Sequence, residues 1–165
     1  DTLYGLGVDA TNTFAINKLN KLKNRIAPLS IIVGSIPMMK KYVKISKNNL
    51  MIIKKVLPGA FTFLLEKKKS NLSDKISLGT GNIAVRIPES KFILDVVNYI
   101  DKPIVTTSLN IHGETAINNF DILKTLYDSF NIFKGKTNEN SIGSTIIDLT
   151  TTKPKVIRQG DGLYN

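Results

Sequence analysis

An α/β fold built on one twisted, mixed sheet is the architecture this sequence predicts, and two observations carry the prediction. Short β-branched or aromatic runs, such as Phe61 to Leu65, Ile83 to Ile87 and Pro103 to Thr107, are interleaved with segments whose apolar residues recur at three- and four-residue spacing. Strand and helix do not alternate strictly, so a mixed sheet is expected rather than a purely parallel one. The length of 165 residues, with 42% hydrophobic and 22% charged residues, fits one domain with its own core and excludes a disordered or fibrous chain.

Taken in order, Asn12 or Thr13 caps a first helix whose apolar positions are Ala15, Leu19, Leu22 and Ile26; Pro28 ends it, leaving Lys23 and Arg25 at its C-terminal end. Leu29 to Val33 reads as a short buried strand. Ser35 with Pro37 starts a second helix, and Leu50, Ile53, Val56 and Leu57 mark a third, stopped by Pro58-Gly59. Phe61 to Leu65 returns to strand, and Lys67, Lys68 and Lys69 with Ser70 to Asp74 form a solvated loop. After the strand Ile83 to Ile87, the positions Ile93, Val96, Val97 and Ile100 line one face of a helix. Pro103 to Thr107 is a strand running into Ser108-Leu109-Asn110; Ile122, Leu126 and Phe130 mark a last helix, and Thr145 to Leu149 and Lys155 to Ile157 are closing strands. Gly5 and Gly7 lack the third glycine of a dinucleotide fingerprint and the lysine of a phosphate loop, so Tyr4 and the two glycines read as a turn. The opening Asp1-Thr2-Leu3 has no apolar run before it, and the expectation is one domain over 1–165 whose first strand lies upstream of residue 1.

The side-chain inventory removes whole classes of chemistry. There is no cysteine, which excludes disulfides, thiolate catalysis and Cys-ligated metals, and the single histidine, His112, cannot form a multi-histidine site. No apolar run approaches the roughly 20 residues of a bilayer-spanning helix, so a cytoplasmic protein is expected. The net charge of +10 biases the surface toward polyanions such as nucleotides or RNA. Of the 23 basic residues only Arg25, Arg86 and Arg158 are arginine. A chain that uses lysine almost everywhere keeps arginine where a planar, bidentate fork is needed for carboxylate or phosphate.

Seven segments fall in one recognisable order: Asp1-Thr2-Leu3-Tyr4-Gly5-Leu6-Gly7, Lys23-Asn24-Arg25, Pro58-Gly59-Ala60-Phe61-Thr62, Ile83-Ala84-Val85-Arg86-Ile87-Pro88, Ser108-Leu109-Asn110, Ser144-Thr145-Ile146-Ile147-Asp148 and Ile157-Arg158-Gln159-Gly160. Together they resemble the YrdC-type family of threonylcarbamoyl-AMP synthases, over nearly the whole chain. The resemblance implies a YrdC-like open, twisted mixed sheet with flanking helices around a concave basic cavity. It also implies condensation of L-threonine, bicarbonate and ATP, with Mg2+, to threonylcarbamoyl-adenylate and pyrophosphate. The product would pass to a tRNA threonylcarbamoyltransferase for modification of adenosine 37 in ANN-decoding tRNA.

Carried over residue by residue, the resemblance assigns Lys23 and Arg25 to the ATP phosphates as the catalytic cations. It places Thr2, Arg86, Thr106 and Ser144 on L-threonine, and Asn82, Ser108, Asn110 and Arg158 on ATP, with no metal ligand from the protein. Two departures stand out. Only Ile26-Ala27 separates Arg25 from Pro28-Leu29, where family members usually have a longer stretch, and Asn82 stands where they usually carry threonine. Asp148 reads as structural and His112 as a surface residue. The charge also allows a different class, a non-catalytic module binding double-stranded RNA or tRNA by phosphate contacts. A carbamoyl-adenylate enzyme of hydrogenase maturation shares the fold, but would be expected to bring cysteine-rich zinc modules.

Overall fold

The computed structural model describes residues 1–24, 26–109, 116–135, 137–138 and 140–164. The elements run β1 (Gly5–Asp9), α1 (Thr13–Leu22), β2 (Ser30–Ile32), α2 (Ile36–Tyr42), α3 (Lys47–Val56), β3 (Phe61–Glu66), β4 (Asn82–Arg86), α4 (Lys91–Ile100), β5 (Ile104–Ser108), α5 (Phe120–Leu126), β6 (Thr145–Asp148) and β7 (Lys155–Arg158). All the strands join one sheet in the order β1-β5-β2-β4-β3-β6-β7. Parallel pairs, β2 with β4 and β3 with β6, sit among antiparallel ones, as the irregular alternation of elements predicts.

Local chemistry explains most of the boundaries. Asn12, Ser35 and Ser46 each accept a backbone N–H three residues on, at Ala15, Met38 and Asn49, and so cap α1, α2 and α3. Alternation in β3 and β4 sends Phe61, Phe63, Leu65, Ile83 and Val85 into the core and leaves Thr62, Leu64, Asn82, Ala84 and Arg86 on the opposite face. The core beneath is filled by Ile16, Ile31, Val33, Met39, Ile53, Val97 and Ile147. Among the described residues no helix is long and apolar enough to cross a membrane.

Four readings of the sequence are corrected. Gly5 and Gly7 lie in strand β1 rather than a turn; a Cβ at Gly5 would come 3.0 Å from the Thr107 carbonyl oxygen and one at Gly7 3.1 Å from the Ile104 side chain, so close strand approach selects glycine there. In α1 the buried stripe is Ile16, Leu19, Asn20 and Lys23, while Leu22 and Ile26 are 47% and 77% exposed. In α5 it is Leu123 that is buried, one position from the expected face of Ile122 and Leu126, and the helix ends before Phe130. The lysine-rich loop is not simply solvated, because Leu72 and Ile76 join the core and the Ile76 carbonyl accepts the Leu29 N–H.

Candidate active site

Strand register assembles the site. On one face Gly7 lies opposite Thr106, Thr106 opposite Ser30, Ser30 opposite Ala84 and Ala84 opposite Leu64, so a row of small and hydroxyl side chains crosses four strands and meets Leu64 on the fifth. A cavity of about 750 Å³ lies over the sheet, within the range that holds cofactor-sized ligands. Thr2, Asn82, Arg86, Thr106, Ser108, Ser144 and Arg158 all line it, together with Thr62, Thr80 and Thr107. Among the described residues, Arg86 and Arg158 are the charged side chains of this lining, and no carboxylate belongs to it.

Arg86 ends β4. Its Nη2 pairs with an Asp1 carboxylate oxygen at 2.6 Å, Nη1 lies 3.4 Å from the Thr2 hydroxyl, and the buried Nε has no hydrogen-bond partner. The second Asp1 oxygen accepts the Glu89 N–H at 2.9 Å. Burial lowers the Arg86 pKa to about 10, with Asp161 acting in the opposite direction, so the guanidinium is charged at neutral pH. The anion expected opposite this arginine is therefore supplied in part by the chain itself.

Across the cavity, the Ser144 and Thr62 hydroxyls are 2.7 Å apart and buried. Arg158, on the outermost strand β7, donates from Nη2 and Nε to the Ser144 carbonyl at 2.6 and 3.2 Å, and its Nη2 lies 3.4 Å from the Ser144 hydroxyl. Burial, then the neighbouring Arg86, lower the Arg158 pKa against the pull of Asp161. Two guanidiniums thus face one space among hydroxyls, an arrangement suited to two anionic groups.

Lys23 is buried at the end of α1, and its Nζ donates to the Ser108 carbonyl at 2.7 Å; it is not part of the cavity lining, which it adjoins through Ser108. Arg25 and Asn110, like His112, fall outside the described residues. Among the described residues no group of three or more acidic or imidazole side chains could hold a metal ion. Asp148 accepts the Thr150 N–H and hydroxyl, a local turn. The sequence reading did not single out Thr62 or Asp1 as site residues: Thr62 stands inside a quoted motif, whereas nothing local marks Asp1 as the partner of Arg86.

A family model for Sua5/YciO/YrdC proteins, described as telomere recombination, matches residues 1–160. The human threonylcarbamoyl-AMP synthase is 28% identical over 173 residues, which cover 99% of this chain and 61% of that protein. The threonylcarbamoyl-AMP synthase of Psychromonas ingrahamii is 30% identical over 168 residues, 98% of this chain and 84% of that one. Among solved structures, P. abyssi Sua5 complexed with L-threonine superposes with a TM-score of 0.87 at 29% identity, over 96% of this chain and 48% of that one. The chain spans about three-fifths of the length of the mammalian relatives it matches.

Proposed function

Because the chain belongs to the Sua5/YciO/YrdC family, we propose that it is an L-threonylcarbamoyladenylate synthase, a nucleotidyltransferase acting on L-threonine, bicarbonate and ATP. The observation that carries this reading is the cavity lined by Arg86, Arg158 and a ring of hydroxyls, with no carboxylate among the described residues of its wall. Such a wall favours anions and offers no nucleophile paired with a base.

The chemistry asks for little else. The threonine nitrogen bonds to the carbon of bicarbonate-derived CO2 and gives up a proton. A carbamate oxygen then bonds to the α-phosphorus of ATP as the bond to the bridging oxygen breaks, and pyrophosphate leaves. The protein must hold two anionic reactants in line and balance the charge that moves onto the leaving group.

We assign Arg86 to the threonine carboxylate, with Thr2, Thr106 and Ser144 around the amino acid. Arg158, Ser108 and Asn82 take the nucleotide, Lys23 acts from the Ser108 end of the site, and Arg25 and Asn110 are assigned to ATP by their place in the family motifs alone. Magnesium enters as part of the substrate, carried on the ATP phosphates, as its preference for oxygen ligands and retained water suggests. The product would be consumed by a tRNA threonylcarbamoyltransferase, and we infer a cytoplasmic reaction.

Exchange of labelled pyrophosphate into ATP tests the proposal. Exchange should require threonine and bicarbonate together, and either one alone should give none. Exchange that ignores threonine would overturn the assignment. No exchange, combined with salt-sensitive binding of double-stranded RNA, would favour the non-catalytic RNA-binding module instead.

A further inference from the structure

Asp161 stands outside the cavity lining, yet its carboxylate fixes the segment that delivers Ser144 and Arg158 to it. One oxygen accepts the Ser141 hydroxyl at 2.5 Å and the other accepts the Ile142 N–H at 2.9 Å, while the Asp161 N–H donates to the Gly143 carbonyl at 2.8 Å. The Ser141 hydroxyl also accepts the Gly143 N–H at 3.2 Å. Residues 141–143 are thus tied to one residue, Ser141 and Ile142 through the Asp161 carboxylate and Gly143 through the Asp161 backbone N–H. Gly143 holds φ at +92°, a left-handed conformation suited to glycine, and a Cβ there would sit 3.3 Å from Arg158 Nη2. A side chain at this position would crowd the guanidinium as well as strain the backbone.

The neighbouring contacts extend the brace. Gly160 N–H and the Gln159 amide both donate to the Thr145 hydroxyl, which donates to the Gly162 carbonyl. A Cβ on Gly160 would come 2.5 Å from the Ser144 carbonyl carbon, so residues 159–162 pack directly on the Ser144 backbone. Asp161 is the member of this brace that carries charge, and that charge opposes the depression of both arginines by burial.

We propose that Asp161 is a positioning residue: by clamping residues 141–143 it holds the Ser144 hydroxyl and the Arg158 guanidinium in register with Arg86, and so joins the two anion sites of the cavity. The inference rests on the synthase reading for its kinetic readout and not for its structural one.

Two variants test it, Asp161→Ala and Asp161→Asn. The amide can still accept the Ile142 N–H through Oδ1 and turn its NH2 toward the Ser141 hydroxyl, so it keeps the clamp without the charge. Amide hydrogen exchange should show Ile142 and Gly143 exchanging at least tenfold faster in Asp161→Ala, near the wild-type rate in Asp161→Asn, and Phe63 and Val85 unchanged in both. In the exchange assay, Asp161→Ala should raise the KM for both threonine and ATP by about three- to tenfold with a smaller change in kcat, and Asp161→Asn should recover most of the loss. Unchanged protection at Ile142, equal loss of protection in the core strands, or an asparagine variant as impaired as alanine would each overturn the proposal. A wild-type chain inactive in the assay would count against the synthase reading, while the amide-exchange result would still decide the clamp.

Discussion

Asp1 and Arg86 form an ion pair at 2.6 Å in which the side chains retain only 9% and 11% of their exposure, joining the start of the chain to the end of β4. The pair leaves the guanidinium incompletely satisfied: Nη1 has only a long contact to Thr2 and Nε has none. The cation is held in place, and Nη1 still has donor capacity that a ligand carboxylate could take up. Geometry of this kind separates the contribution of the planar fork from that of the charge.

Arg86→Lys keeps the charge and removes the fork. If the amino-acid carboxylate is its ligand, threonine affinity should fall by roughly ten- to hundredfold, the loss of a charge-assisted contact worth about 1.5–3 kcal/mol, while ATP affinity changes little. Calorimetric titration with each ligand checks this, and an equal loss for both would remove Arg86 from the threonine side. Arg158→Lys should show the opposite pattern.

Removing Asp1 strands a buried cation. Asp1→Ala should lower unfolding free energy by about 1–3 kcal/mol in urea, because Arg86 loses its nearest anion. Added threonine should then raise the melting temperature by more in the variant than in the wild type, since the ligand carboxylate replaces the missing one. A ligand shift equal in the two proteins would show that threonine does not reach Arg86.

The hydroxyl pair of Thr62 and Ser144 makes an independent prediction. Thr62→Val conserves shape but leaves the Ser144 hydroxyl with only the 3.4 Å contact from Arg158. A cost of about 1–3 kcal/mol is expected for the unpaired buried group, together with weaker threonine binding. Chemical denaturation and titration measure the two effects; a variant as stable as wild type would mean that the pair contributes no net stabilisation.

The strands of the sheet centre were legible because their chemistry is local: alternation in β3 and β4 already separates Phe63 and Val85 from Thr62 and Arg86. β1 was not, since Gly5-Leu6-Gly7 carries no strand signal of its own and becomes a strand through its pairing with β5. The α1 stripe is offset by one at Ile16, which is buried where Ala15 is expected, and its later buried members, Asn20 and the C-cap Lys23, are polar, which apolar spacing cannot find. Thr2, Asn82, Arg86, Thr106, Ser108, Ser144 and Arg158, which motif order singles out, line one cavity. The partners escaped it: Asp1 reaches Arg86 across 85 positions and Thr62 reaches Ser144 across 82, relations that only the strand order creates.

The final prediction concerns acid stability and the turn from β1 into α1. Asp9 accepts the Thr11 N–H at 2.8 Å and hydroxyl at 2.7 Å on one oxygen and meets Lys102 Nζ at 3.0 Å with the other. Burial pushes its carboxyl up, but the Thr11 contacts and Lys102 together outweigh it, and the net direction is below the ordinary 3.8. The folded chain therefore binds fewer protons here than the unfolded chain does. Stability supplied by the Asp9 charge is complete above pH 3.8 and is lost as pH falls through the lower folded value. Asp9→Asn retains an oxygen for Thr11 and removes the charge, so at pH 7 it should cost about 1 kcal/mol, or roughly 2–4 °C in Tm for a chain of this size. Thermal unfolding of both proteins from pH 7 to pH 3 should show that gap closing in the acid range. A gap that stays constant would mean that the Asp9 charge contributes nothing and that Thr11 is held by hydrogen bonding alone.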